Sequence, residues 1–404
     1  MKRVVITGIG ALSPIGNTFE ECWENLLAGK NGVSVIERTG GVSIAGKLTG
    51  FNPRMYVDVK DELRLDPFAV YAFAAAKMAV EDAGASVEDF AVVIGTSRGG
   101  ISRLNEAMKK LYGYNDASGR RKVSGFLMAG TTSGMAASYI SRRFRTKGYC
   151  TGISTACASG ASAVGEAFRL IKHGIAAGAI AGGAEAPVCE VCILGYDACR
   201  ALSRSGSLTA SCPFDERRNG FVLSEGSAVL VLEEYETALI RGAAVYAEVA
   251  GYGNSSDAFD MVKPSSRGPA GAMSDALKEA HLVPSDVGFI NAHGTSTRLG
   301  DLAEAGAIKM LFGGLDVPVT ANKSMTGHML SSSGAFEIAS TAMSLKEGIV
   351  PATINLTDVD PSCGINVVRS AIQDNFTSAI SNSFGFGGVN VCVALKRLET
   401  SRSK

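Results

Sequence analysis

This chain of 404 residues has almost no tryptophan and no net charge. Its 1 Trp stands against 48 Gly, which points to tight turns and close backbone packing. Lys+Arg and Asp+Glu both count 39, so no electrostatic footprint for nucleic acid or an anionic membrane is present. Long apolar runs are missing too: none approaches the roughly 18 residues of a membrane span. The opening "MKRVVITGIGALSPIGN" is broken by glycines and a proline and does not read as a signal peptide. The 9 cysteines are odd in number and irregularly spaced, so no disulfide framework is expected, and reduced thiols and a cytoplasmic location are. Metal-site patterns are lacking. "CEVC" (Cys189, Cys192) has no second pair or nearby His and reads as incidental, and the 4 histidines form no helical pair. "TGIGALSPIG" imitates a dinucleotide loop weakly, with Ser13 in place of the third glycine.

Hydrophobic residues make up 46%, enough to exclude disorder and fill a large core. The length favours two domains or one duplicated unit. Strand-like runs ("KRVVITG", "FAVVIGT", "AIAGG", "SAVLVLEE", "VGFINAHG", "VNVCVALKRL") alternate with helix-like ones ("VYAFAAAKMAVEDAG", "GAMSDALKEAHL"), predicting an α/β architecture with parallel strands. No Pro-, Ser- or charge-rich linker divides the chain, and the expected seam lies near 240–250. A faint echo spans it. "CASGASAVGEAFRLIKHG" and "SSSGAFEIASTAMSLKEG" are both helix-like, small in front, larger behind, and stopped by Gly174 and Gly348.

Candidate chemistry starts at Cys157, in "GISTACASGASAVGEAFRLIKHG", where a strand hands over to a helix. Backbone N–H groups and the positive end of the helix dipole favour a thiolate there, and the same amides can hold an oxyanion. The alternative is a buried structural cysteine. His293 ("NAHGTST") and His328 ("NKSMTGHMLSSSG") follow strand-like runs and sit among Gly, Ser and Thr, as ligand-reaching loop residues do. His173 and His281 lie beside charges on helix-like stretches and read as solvated. Lys323 can orient the site by pairing with a carboxylate, Glu304 or Asp301 being candidates, or be a plain surface lysine. "SNSFGFGGVN" sets Phe384 and Phe386 among glycines, as either a gate that offers a backbone N–H or a hairpin turn.

Together "STACASG", "NAHGTST", "KSMTGH" and "NSFGFGG", in this order along nearly the whole chain, resemble the β-ketoacyl-acyl-carrier-protein synthases. The similarity is to the elongating condensing enzymes of fatty-acid and type II polyketide synthesis. It implies a thiolase-like fold: two similar α/β halves, 1–245 with Cys157 and 246–404 with His293, Lys323 and His328, in a five-layer αβαβα sandwich. By the same resemblance Cys157 carries the acyl chain as a thioester. His293 and His328 promote decarboxylation of a malonyl-carrier protein, and Lys323 holds them with Glu304 as its ionic partner. The N–H groups of Cys157 and Phe386 form the oxyanion hole, while Thr295 and Thr297 meet the phosphopantetheine arm. No cofactor or metal is then bound by the chain itself, since the prosthetic group arrives on the carrier protein. The implied assembly is a homodimer, or a heterodimer with a ketosynthase-like chain. Cys157 sets the sequence apart from chain-length-factor relatives, which lack the nucleophile. A non-catalytic partner subunit is the alternative reading.

Departures surround this set. Arg98, in "GTSRGG", stands where fatty-acid enzymes commonly carry an apolar residue beside the acyl pocket, so it either shortens that pocket, meets a polar or acidic group on the substrate, or turns away to pair with a neighbouring carboxylate. Cys212 replaces an arginine that helps relatives grip the carrier. Arg120, Arg121 and Lys122, or Arg142, Arg143, Arg145 and Lys147, are possible substitutes, though most such runs are solvated faces. Asn219, Arg298, Ser332, Ser333 and Val389 are further changes, and together they suggest specialised substrate or partner use.

Overall fold

Residues Val4–Leu12 (β1), VVITGIGAL, are buried along their whole length, as a strand covered on both faces must be. The computed structural model describes residues 1–112 and 123–398. In it the main sheet continues, in chain order, with Ala91–Gly95 (β2), Cys150–Ile153 (β3), Gly178–Glu185 (β4), Gly226–Glu234 (β5) and Ala247–Ser256 (β6). Phe289–Asn291 (β7), Pro318–Thr320 (β8), Asn366–Val367 (β9), Ser378–Gly385 (β10) and Val389–Lys396 (β11) complete it. The order across the sheet is β9-β8-β7-β10-β11-β6-β1-β5-β4-β2-β3.

That order holds a repeat. The first five strands lie as β3-β2-β4-β5-β1, the first three parallel and the last two antiparallel to their neighbours. Strands β8-β7-β10-β11-β6 reproduce the same sequence of senses. The two sets are joined edge to edge, because Val4, Val5 and Ile6 pair with Val249, Glu248 and Ala247.

The helices repeat as well. Pro67–Ala83 (α1), Met135–Phe144 (α2) and Ser159–Lys172 (α3) occupy the same places between strands as Arg267–Glu279 (α4), Arg298–Phe312 (α5) and Ser331–Glu347 (α6). Strand alternation sorts them into layers. Val92 and Ile94 of β2 face α1 and α2, while Ala91 and Val93 face α3. In the second set Ile290, Ile380 and Cys392 face α4 and α5, while Phe289, Ala379 and Val391 face the central helices. The result is the expected αβαβα stack, with α3 and α6 in the middle.

Local signals set the helix ends. Asp66 caps α1 by accepting the Phe68 N–H at 3.1 Å, Pro67 opens the helix, and Gly84 closes it in the left-handed region. Small residues at the starts of α3 and α6 bring those helices together. A Cβ on Gly160 would lie 2.2 Å from the Ser331 carbonyl oxygen, so only glycine permits the crossing. Val164, Phe168 and Ile171 are buried, and His173 and His281 are exposed, as the sequence predicts.

Candidate active site

The β3–α3 turn, the β7–α5 loop, the β8–α6 segment and the β10–β11 hairpin converge on one cleft of about 390 Å³. Cys157, His293, His328, Thr295, Thr297, Glu304, Phe384 and Phe386 all border it. The turns that deliver these side chains are strained. Ala156 (φ 50°), Ser296 (φ 68°) and Leu330 (φ 47°) are non-glycine residues in the left-handed region, beside Cys157, His293 and His328 respectively. Each costs of order 1–3 kcal/mol that the surrounding packing must offset. The "GFGG" segment is the tip of the β10–β11 hairpin, with Gly385 opposite Val389, so Phe384 belongs to a strand and Phe386 to the turn. A Cβ on Gly385 would lie 2.6 Å from the Thr155 carbonyl and 3.3 Å from the Cys157 nitrogen, which measures how closely the tip approaches the nucleophile's backbone.

The two imidazoles meet edge to face with centroids 5.4 Å apart. Phe384 packs against His293 at 5.5 Å and Phe221 against His328 at 5.1 Å. Burial, and then the Lys323 charge, hold both rings well below the ordinary histidine value of 6.5, so both are neutral near pH 7. The His293 tautomer follows from its partner. Lys323 Nζ lies 3.3 Å from His293 Nδ1, and an ammonium only donates, so the proton of His293 sits on Nε2. Ser333 Oγ accepts the Met329 N–H at 2.9 Å and lies 3.3 Å from His328 Nδ1. The His293 ring is thereby set to donate from Nε2.

Lys323 is fully buried, and its ionic partner is Glu337 of α6 at 2.5 Å. This corrects the expected pairing with Glu304. The Glu304 carboxylate instead accepts the His293 N–H at 2.9 Å, the Gly294 N–H at 2.8 Å and the Asn382 amide at 3.1 Å. It therefore anchors the His293 loop from α5 while Lys323 is held from α6. Asp301, the other candidate, accepts the Phe214 N–H at 2.8 Å and faces Arg218 at 3.6 Å.

Cys157 is buried, and burial pushes its thiol up to about 11, against the pull of Lys323 and Arg98 and with Glu185 adding to the rise. The thiolate expected from a helix start is thus opposed by desolvation, and a proton acceptor is needed as the thiol reacts.

Arg98 does not border the cleft. It contacts Tyr196, which does border the cleft, with its Nε donating to the Tyr196 hydroxyl at 2.9 Å and its guanidinium 5.2 Å above that ring. Thr297 caps α5 by accepting the Gly300 N–H at 3.2 Å, and its hydroxyl is 3.0 Å from that of Thr295. Cys212 is buried against Ser296 rather than presented on a docking surface. Arg142 pairs with Asp61 at 2.6 Å and Arg143 stacks on Phe73, both on the outer layer. Arg120, Arg121 and Lys122 lie outside the described residues. The cations at the cleft itself are Arg200, Lys263 and Arg298.

The comparisons with known proteins agree with this geometry. The N-terminal domain of beta-ketoacyl synthase matches residues 1–238, and its C-terminal domain matches residues 246–357. The chain belongs to the β-ketoacyl synthases. Its class of reaction is therefore the condensing acyl transfer of that family. It is 42% identical to a 3-oxoacyl-[acyl-carrier-protein] synthase 2 of Staphylococcus aureus, over 98% of this chain and 99% of that one. An ishigamide ketosynthase/chain length factor superposes with a TM-score of 0.92 at 32% identity, covering 98% of this chain and 100% of that one. A type II PKS ketosynthase solved in complex with its acyl-carrier protein gives 0.91 at 30% identity, with the same coverage.

Two site residues escape a sequence reading of this β-ketoacyl synthase. Glu337 carried a usable signal, being the one acidic residue in "SSSGAFEIASTAMSL". Ser333 was visible as a departure, but its bond to His328 depends on how α6 begins.

Proposed function

We propose that this chain is a decarboxylating β-ketoacyl synthase that extends carrier-bound acyl chains by two carbons. The observation that carries the reading is the convergence of one thiol with two neutral imidazoles in one cleft, the His293 ring set by Lys323 to donate from Nε2. In the first half-reaction the Cys157 sulfur attacks the acyl thioester carbon. The new S–C bond forms, the carrier's thiolate leaves, and the Cys157 proton passes to that leaving thiolate. The N–H groups of Cys157 and Phe386 hold the tetrahedral oxyanion. In the second, malonyl thioester loses CO₂, and the charge left on its oxygen meets the ring N–H donors of His293 and His328. The enolate carbon then attacks the Cys157 thioester and frees the sulfur. Lys323 fixes the His293 tautomer, and Glu304 fixes its loop.

The phosphopantetheine arm of a carrier protein fits the cleft. The hydroxyls of Thr295 and Thr297 lie along it, and Arg200, Lys263 and Arg298 supply positive charge for the phosphate. Arg98 is assigned to the acyl side, where it favours short or polar-ended chains and, with the altered cleft residues, points to a specialised pathway over housekeeping elongation. The chain divides functionally into halves 1–245 and 246–404. It acts in the cytoplasm as a homodimer. Supporting the dimer, Met108, Met128, Val191 and Leu194 are exposed apolar residues on neighbouring elements, and β3 has no strand on its outer edge among the described residues. No helix among them is long and apolar enough to cross a membrane.

The test is mass spectrometry of the enzyme offered acyl-carrier proteins without a malonyl donor, followed by malonyl-carrier decarboxylation. Acyl groups should accumulate on Cys157. His293→Ala and His328→Ala should still load yet lose decarboxylation by about 10²-fold or more. A Cys157 that never loads from its own carrier would overturn the reading in favour of a pairing subunit.

A further inference from the structure

The "CEVC" segment has no place in the mechanism above, and no group of His, Cys, Asp and Glu among the described residues is arranged to hold a metal. Its position is nevertheless specific. Cys189 is the N-cap of the nine-residue helix Glu190–Ala198, with extended backbone at φ −134° and ψ 162°, and Cys192 is the third residue of its first turn. An N-cap side chain and the third helical residue are the pair that reach each other across a helix start. The two thiols are near enough to shift each other's titration, Cys189 downward and Cys192 upward. Their surroundings differ: Cys189 is half-exposed and Cys192 is buried.

Cys192 also adjoins the active site. It packs in one apolar cluster with Cys157, Tyr196, Phe221 and Leu330. Arg98, whose guanidinium lies over Tyr196, has both Cys192 and Cys157 within electrostatic reach. Lys109, which Glu190 holds at 2.5 Å, lies near Cys189.

We propose that Cys189 and Cys192 form an oxidisable dithiol that closes to a disulfide under a peroxide, altering the wall beside Cys157. The steps balance. The Cys189 thiolate sulfur attacks one peroxide oxygen, the O–O bond breaks, and a sulfenic acid and hydroxide result. The Cys192 sulfur then attacks the Cys189 sulfur, the S–O bond breaks, and the Cys192 proton leaves with the departing oxygen as water. The net change is two thiols and one hydrogen peroxide to one disulfide and two waters.

Reactivity favours this order over loss of the nucleophile. The neighbouring Cys192 lowers the Cys189 thiol from its ordinary value, whereas burial raises that of Cys157 to about 11. Cys189 therefore presents the larger thiolate fraction near neutral pH. Closing the bond withdraws the Cys192 sulfur toward the helix start, so its contacts with the Tyr196 side of the wall change.

The experiment treats the full-length protein with graded hydrogen peroxide, blocks remaining thiols with iodoacetamide, and maps peptides by mass before and after dithiothreitol. The expected result is that Cys189 and Cys192 lose labelling together, in one peptide lighter by two hydrogens, before Cys157 is oxidised. Acyl loading of Cys157 from an acyl-carrier protein slows about fivefold or more in the disulfide form and recovers with dithiothreitol. Cys189→Ser should load acyl groups normally and lose this peroxide response. Cys189 and Cys192 still alkylated after Cys157 has been oxidised, or a disulfide from either to Cys199, would overturn the proposal. Unchanged loading by the disulfide form would overturn its link to the acyl wall, whereas failure of the untreated enzyme to load would instead strike the proposed function.

Discussion

Replacing Glu337 with Gln keeps the shape of the side chain and removes the carboxylate that pairs with Lys323. Both partners are 1% exposed and 2.5 Å apart, so water cannot take over from the lost charge. Stripping one member from a buried pair costs ~3–5 kcal/mol, because the survivor is left uncompensated in a poor dielectric. An unfolding entropy of about 2.1 cal/mol/K per residue over this length converts that to a fall of roughly 4–6 °C in Tm. Freed from Glu337, the Lys323 ammonium no longer has a fixed place beside His293 Nδ1, so the pull that helps depress His293 and His328 weakens and both rings move back up toward 6.5. The acid limb of malonyl decarboxylation should then shift to higher pH, with the rate near neutrality down about tenfold or more. Acyl transfer to Cys157, which uses other donors, should change by only a few-fold. Calorimetry and a pH–rate profile on one preparation read both effects. An unshifted acid limb together with a wild-type Tm would show that Lys323 is held by something other than Glu337.

Four further outcomes follow from the same coordinates. Iodoacetamide labelling of Cys157 in the free enzyme should rise about tenfold per pH unit from neutrality with no plateau until about pH 11, since burial holds the thiol protonated; a plateau near neutrality would mean that the helix start dominates. His293 titrates lower folded than its 6.5 reference, so its contribution to stability is complete above that pH and is lost as pH falls below it. Denaturant titrations of wild type and His293→Asn should therefore converge by about 1.4 kcal/mol per pH unit below 6.5 and run parallel above it. Gly160→Ala should lower Tm by many degrees or prevent folding, with its Cβ 2.2 Å from the Ser331 carbonyl, whereas Gly195→Ala, with nothing within 4 Å on a helix, should gain up to about 1 kcal/mol in chemical denaturation. Arg98→Ile should extend the range of acyl chains accepted by Cys157 in a loading panel, and an unchanged chain-length profile would remove Arg98 from the acyl side.

What was readable in the sequence is what depends on neighbours along the chain. β-branched runs announced β1, β2 and β5, and small-then-large spacing with a terminal glycine announced α3 and α6, because strand and helix periods are local properties. The turn at Cys157 and the loops of His293 and His328 were legible for the same reason: glycine, serine and threonine cluster where backbone must bend. Strands of two or three residues, such as β8 and β9, left no period to detect. The duplicated strand order, and the edge-to-edge join of its two sets, exist only once distant segments pair.

The site divides along the same line. The sequence by itself determined which chemical groups were available: one thiol at a strand–helix turn, two loop imidazoles, a lysine and acidic candidates. Tertiary structure alone decided that Lys323 pairs with Glu337 while Glu304 holds the His293 backbone, and that the His293 imidazole keeps its proton on Nε2. It also put Arg98 outside the cleft and made "CEVC" a neighbour of the nucleophile. Charge pairing, tautomer and burial depend on distances through space, which residues far apart in the chain acquire only when the layers stack.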